Sequence, residues 1–367
     1  MSILNDSMLL CSHTHSVPNK SVPNKNTSLK NPKKFATFAA LFFCVSIWFS
    51  SFAFAQNVVT SADNDGAGSL RQVIASAPVG SEITFDLPIG TNEITLSSQI
   101  DIDKNLKIDG GSGVIISGGN SNRIFFIADA TVEMKNLTLE KGYANDNGGA
   151  VIVDYSGILT AINCNFYKNN ANNGGAVHAI FYSTFTAINC NFYENNAGSS
   201  ASGGGAVYIT STSTFYLFHS VVVGNSAIGF GGGVFISNNS SFYSYNSIIV
   251  GNTANVFPQI RGTLLDGSNL IQGENGLTRA DVFNDDGSLV CGGIVETAKV
   301  LKKSDIIHPD AANIITLLKT DQAGNKRRGF TATYGAVEAI GCPPKPPLPF
   351  KGNIIVRGGA TLIIGKP

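Results

Sequence analysis

One phrase recurs along this chain, and it leaves few folds open. Gly148-Gly149-Ala150-Val151 returns as Gly174-Gly175-Ala176-Val177. The run from Ala161 to Asn169 returns, with one change, from Ala187 to Asn195. Looser copies lie at Ser220 to Asn225 and at Ser247 to Asn252. Self-similarity at a short fixed period marks a repeat architecture, in which each unit buries its apolar face only by stacking on its neighbours.

The grammar inside each copy says what the unit is. Apolar residues alternate, skip a beat at one residue, and alternate again. Val132 and Met134 precede Asn136, and Leu137 and Leu139 follow it. Leu159 and Ala161 precede Asn163, with Cys164 and Phe166 after; Phe185 and Ala187 precede Asn189, with Cys190 and Phe192 after. The pattern extends to Asn105, His219 and Asn246. A strand has a side-chain period of two, so a skipped beat with both halves still facing inward means a bend. Asn tolerates the left-handed backbone of a sharp bend. The anchors Asn105, Asn136, Asn163, Asn189, His219 and Asn246 are spaced by 31, 27, 26, 30 and 27 residues. Short strands and bends at this period fit one turn of a parallel β-helix and are too short for a propeller blade. Turns stack about 4.8 Å apart. The anchors then form a structural ladder of side chains, each hydrogen bond contributing about 0.5–1.5 kcal/mol, with His219 standing in for Asn rather than acting as a catalyst.

Lys33-Lys34, an apolar run over 35–52 and Ala53-Phe54-Ala55 have the order of a secretory signal. The predicted organisation is therefore a signal peptide (1–55), an N-terminal cap (56–81), parallel β-helix repeats (82–260), a C-terminal cap (261–342) and a Pro-rich linker and tail (343–367). Ser69 is placed to cap a helix from Leu70 to Ala77. No later segment is long and apolar enough to span a membrane. Export permits disulfides, and Cys291 with Cys342 is the candidate pair. Cys164 and Cys190 occupy equivalent repeat positions, where parallel Cβ vectors close a disulfide poorly; they are expected to pack as free thiols. Of 25 basic and 25 acidic residues, the leader holds five lysines and one acid, and from Thr160 to Ile260 the only charged side chains are Lys168 and Glu194. Such a surface has no electrostatic footprint for nucleic acid.

The Gly-Gly-Ala-Val motifs, followed by Phe166-x-x-Asn169 and Phe192-x-x-Asn195, resemble the GGA and FxxN repeats of chlamydial polymorphic outer-membrane proteins. Ser61 to Ser76, with Gly66-Ala67-Gly68-Ser69-Leu70-Arg71, resembles the start of a broader set of bacterial right-handed β-helix proteins. Thr320 to Asn325 and Tyr334-Gly335-Ala336-Val337-Glu338 resemble the end of that set, the choice-of-anchor Q domains. The resemblance spans roughly residues 57–340. It implies a right-handed parallel β-helix that is secreted or on a bacterial surface. In the chlamydial family such passengers act in adhesion and precede a transporter barrel. Nothing after Cys342 is long enough for a barrel, so transport by the chain's own barrel is not expected.

Parallel β-helices also host pectate lyases and polygalacturonases, so fold alone does not decide activity. That chemistry needs carboxylates clustered on one face. The repeats from Thr160 to Ile260 offer only Glu194, and Asp101, Asp103, Asp109, Glu133, Glu140, Asp146 and Asp154 are spread along the chain. Asp285-Asp286 is a paired-carboxylate candidate, in a glycine turn outside the clear repeats. The expectation is an adhesin-like binding protein without catalytic residues, metal or cofactor, taking a glycan or protein ligand at a cell surface. Membrane attachment is peripheral or of a kind the sequence does not define. Tyr167, Tyr193, Tyr216 and Tyr243 fall on outward positions of successive turns and are the candidate contact residues; a tyrosine stack that merely supports the sheet is the competing explanation. The alternative function is a polysaccharide lyase or glycoside hydrolase.

Overall fold

The computed structural model describes residues 57–237, 239–265 and 269–272, together with strands at 354–355 and 361–362. The chain forms an all-β, right-handed parallel β-helix of about eight turns. One helix, Leu70–Ser76, follows the first strand; the Ser69 hydroxyl accepts from the Gln72 amide at 3.3 Å, and Leu70, Val73 and Ile74 are buried. Its apolar face belongs to the same core as the strands, closing the end that would otherwise expose unpaired edges.

Each turn has three arms. The turn from Val151 shows the order: a third-arm strand (Val151–Asp154), a first-arm strand (Ile158–Ile162), the Asn163 corner, and a second-arm strand (Asn165–Tyr167). A two-residue strand (Asn170–Ala171) and the Gly-Gly-Ala corner then lead to the next third-arm strand, Val177–Ala179. The solenoid pairings are parallel, and like positions meet in register, Phe166 on Phe192 and Val177 on Val207 among them; one register shift falls between Asp109 and Val114. Earlier in the stack the first two arms remain one strand bent at its middle, Thr131–Glu140, with Asn136 at φ 54°.

The core is a set of continuous side-chain columns. Phe166 and Phe192 stack with centroids 4.6 Å apart and planes 3° from parallel. On the first arm Phe185, Phe215 and Phe242 stack at 5.0 Å steps. Phe185 meets Phe166 and Phe192 edge-on across the interior, at 6.2 and 6.1 Å. In-register stacking of like residues makes every turn a template for the next, which is why the sequence repeats.

The Gly-Gly pair has two separate reasons. Gly148 and Gly174 adopt φ of 59° and 62°, where glycine has no penalty. Gly149 and Gly175 sit where a Cβ would run into the carbonyl oxygen of the glycine one turn on. The signal at 1–55 and the Cys291–Cys342 pair lie outside the described residues, as does nearly all of the C-terminal cap. Within the tail, Ile354–Ile355 and Thr361–Leu362 pair antiparallel. Among the described residues, no helix is long and apolar enough to cross a membrane.

Candidate functional site

The corner residues come first, because they set where everything else points. Asn136, Asn163, Asn189, His219 and Asn246 have φ of 54°, 54°, 53°, 43° and 49°. The Asn163 amide donates to Asn136 at 3.2 Å, and that of Asn189 donates to Asn163 at 3.3 Å. Asn246 lies 3.1 Å from His219 Nε2, so His219 occupies an Asn rung. Asn105 does not belong to this ladder. Ile100–Ile102 is a third-arm strand and Leu106 pairs with Val132, which puts Asn105 at the preceding corner, where its side-chain Oδ1 accepts from the Thr131 amide at 2.8 Å. The Asn corner of that turn is replaced by an irregular stretch between Asp109 and Val114, and Asp109 accepts from Asn136 at 2.8 Å.

A second ladder is more deeply buried. The carbonyl oxygen of Asn195 accepts from both the backbone and side-chain amides of Asn169 at 3.0 Å, and its own amide donates to Phe166 O and to Asn225 at 2.9 Å. Asn225 repeats this on Asn252, and Gln259 accepts from the Asn252 side chain at 2.8 Å. Asn169 and Asn195 are the Asn residues of the FxxN phrase, and Asn225 and Asn252 hold the same position in the looser copies, after Val222 and Ile249. Cys164 and Cys190 are free, buried thiols, their sulfurs near backbone carbonyls of their own and the preceding turn.

The four tyrosines do not make one face. Tyr167 and Tyr193 lie on the second arm and stack at 4.3 Å; Tyr216 and Tyr243 lie on the first arm and stack at 5.1 Å. Tyr193 pairs onward with Val223 and is only 7% exposed, and burial holds its hydroxyl well above the usual phenol range. Tyr167 is half-buried, with Lys168 Nζ 4.8 Å over its ring and Lys168 3.6 Å from Glu194. Burial also raises the pKa of Tyr216.

The open aromatic surface is elsewhere, at the corner between the third and first arms. Tyr155, Phe181 and Tyr182 are 62%, 44% and 69% exposed. Tyr155 and Phe181 stack at 5.9 Å with planes 21° apart. The register brings Tyr155 beside Phe181, with Asp129 one turn before and Ser211 one turn after. All four take left-handed φ, as do Ser156, Tyr182 and Thr212. Such a backbone is costly for bulky residues. Asp154 precedes this corner; one of its oxygens accepts from the Tyr155 amide at 2.7 Å, and burial raises its pKa against that hydrogen bond. Nothing in the repeat grammar marked these residues. The available signal was a pair of aromatics, Phe181-Tyr182, in a loop where turn residues were due.

On the third arm, His178 is buried between the Val177 and Ala179 core positions in sequence. Its Nε2 is 3.1 Å from the Thr210 hydroxyl, and its ring stacks on Tyr208 at 4.9 Å. Burial pushes its pKa down to about 4. Among the described residues no three His, Cys, Asp or Glu side chains gather as metal ligands. No family model matches the chain, and no curated protein matches it. Architecture alone therefore defines its class, a right-handed parallel β-helix.

Proposed function

We propose that the protein is an exported, secreted or surface-associated β-helix that binds host, matrix or glycan ligands without chemistry, in the manner of an adhesin. The observation that carries this reading is the exposed cluster of Tyr155, Phe181 and Tyr182 on left-handed backbone. Exposed aromatics contribute nothing to the core, and a strained conformation needs a reason to persist. The later turns, from Thr160 to Ile260, carry amides and hydroxyls and almost no charge, a surface suited to contact rather than steering.

The resemblance to chlamydial polymorphic outer-membrane proteins and to choice-of-anchor Q domains supports the same reading, and the signal-like leader supports export. The GGA and FxxN phrases hold the column together, so ligand contact is assigned to residues between them. The test is binding of the purified chain to immobilised matrix proteins and to a glycan array, with a Tyr155→Ser/Phe181→Ser/Tyr182→Ser variant beside it. Loss of binding at an unchanged melting temperature is expected. Turnover of any polysaccharide by the wild type would overturn the non-catalytic reading.

A further inference from the structure

We infer that the Tyr155–Phe181–Tyr182 corner is a carbohydrate site that takes a neutral glycan; this rests on the binding function above and names its ligand class. A pyranose is recognised by two kinds of group together. Its C–H face packs on an aromatic ring, and its hydroxyls donate to a carboxylate or accept from phenols and hydroxyls.

Both kinds meet here. The Tyr155–Phe181 pair is a stack of two rings with nothing aromatic continuing it, because Asp129 holds the matching position one turn before and Ser211 one turn after. The outer faces of the stack are thus flanked by small polar residues. Tyr182 adds a third ring, 69% exposed. Asp154 uses Oδ1 on the Tyr155 amide, which orients the carboxylate at the edge of the stack. Ser156 and the two phenols supply further hydroxyls within the same corner.

Spacing and charge narrow the ligand. Corners recur at the inter-strand distance of about 4.8 Å, close to the rise of one sugar in an extended chain, so consecutive sugars can meet consecutive turns. The acids at this corner are Asp129 and Asp154, and Tyr155, Ser156, Phe181, Tyr182, Ser211 and Thr212 bring no cation to it. A uronate or sulfated chain would meet like charge, whereas a neutral chain would not.

The experiment is titration calorimetry of the whole chain against neutral oligosaccharides found on a glycan array, with uronate oligosaccharides and matrix proteins as parallel arms. Binding of a neutral glycan is expected, weakened about tenfold or more by Tyr182→Ala and by Asp154→Asn, a readily measured change in affinity. Asp154→Asn keeps the size of the side chain, and circular dichroism checks that each variant is folded. Binding confined to proteins or to uronates would sink the glycan assignment while leaving the binding function standing. Neutral-glycan binding untouched by both variants would place the site elsewhere. No binding in any arm would refute both readings.

Discussion

Acid should loosen this column through one side chain, His178. The ring is 2% exposed, stacked on Tyr208, with Nε2 held at 3.1 Å by Thr210. Its Nδ1 has no hydrogen-bond partner among the described residues, so a second proton would be buried without an acceptor. Burial is the main cause of the low pKa; Arg123 lowers it further and Asp146 opposes. An unfolded histidine takes its proton near pH 6.5, the folded one only at about 4. Between those values the unfolded chain binds more protons, so stability is full above about pH 6.5 and falls as pH drops toward 4. At about pH 4.5 the loss attributable to His178 is about 2.5 kcal/mol, from roughly 1.36 kcal/mol per unit of displacement. The assay is urea unfolding at about pH 7.5 and about pH 4.5, for wild type and His178→Gln, which keeps a polar side chain but does not titrate. The wild type should lose about 2.5 kcal/mol more than the variant across that interval. Equal losses would show that His178 charges freely in the folded state.

Two further outcomes follow from the columns. Phe192→Ala removes a fully buried ring stacked on Phe166 and should lower unfolding stability by about 3–5 kcal/mol in the same urea assay. Asn195→Ala leaves the buried Asn169 amide without its acceptor, for a loss of about 2–4 kcal/mol, whereas the outer-ladder change Asn163→Gly should cost less because glycine accepts the left-handed corner.

What was legible in the sequence were features that a single residue must satisfy locally. The left-handed corners at Asn136, Asn163, Asn189 and Asn246 could be read because few residue types accept that backbone. His219 shared the position through its spacing alone. Asn105 misled because alternation over residues 100–108 imitates the corner grammar while crossing from the third arm to the first. The 31-residue gap from Asn105 to Asn136 was the sign of it, beside the 26-residue step from Leu106 to its partner Val132. Alternation placed the tyrosines outward, but burial of Tyr193 depends on neighbours that no periodicity encodes. The second glycine of each pair was also hidden, since its reason is a carbonyl one turn away.

The aromatic corner was illegible for a more instructive reason, and that reason can be tested. Local preference would put Asn or Gly at Tyr182, where φ is 64°. Pairing of the third arms, Ala179 on Ile209 and Val153 on Ala179, imposes the backbone whatever the side chain. A residue that opposes its own backbone and is 69% exposed returns little stability in exchange. Tyr182→Asn should therefore raise stability, by about 0.5–1 kcal/mol, because Asn accepts the left-handed region better than Tyr. The same change should weaken ligand binding, the pattern of a position held for function against stability. Urea unfolding and the glycan titration, run on one preparation, measure both. A variant that is less stable than wild type would mean that Tyr182 supports the fold, and the argument from strain to function would fail at this corner.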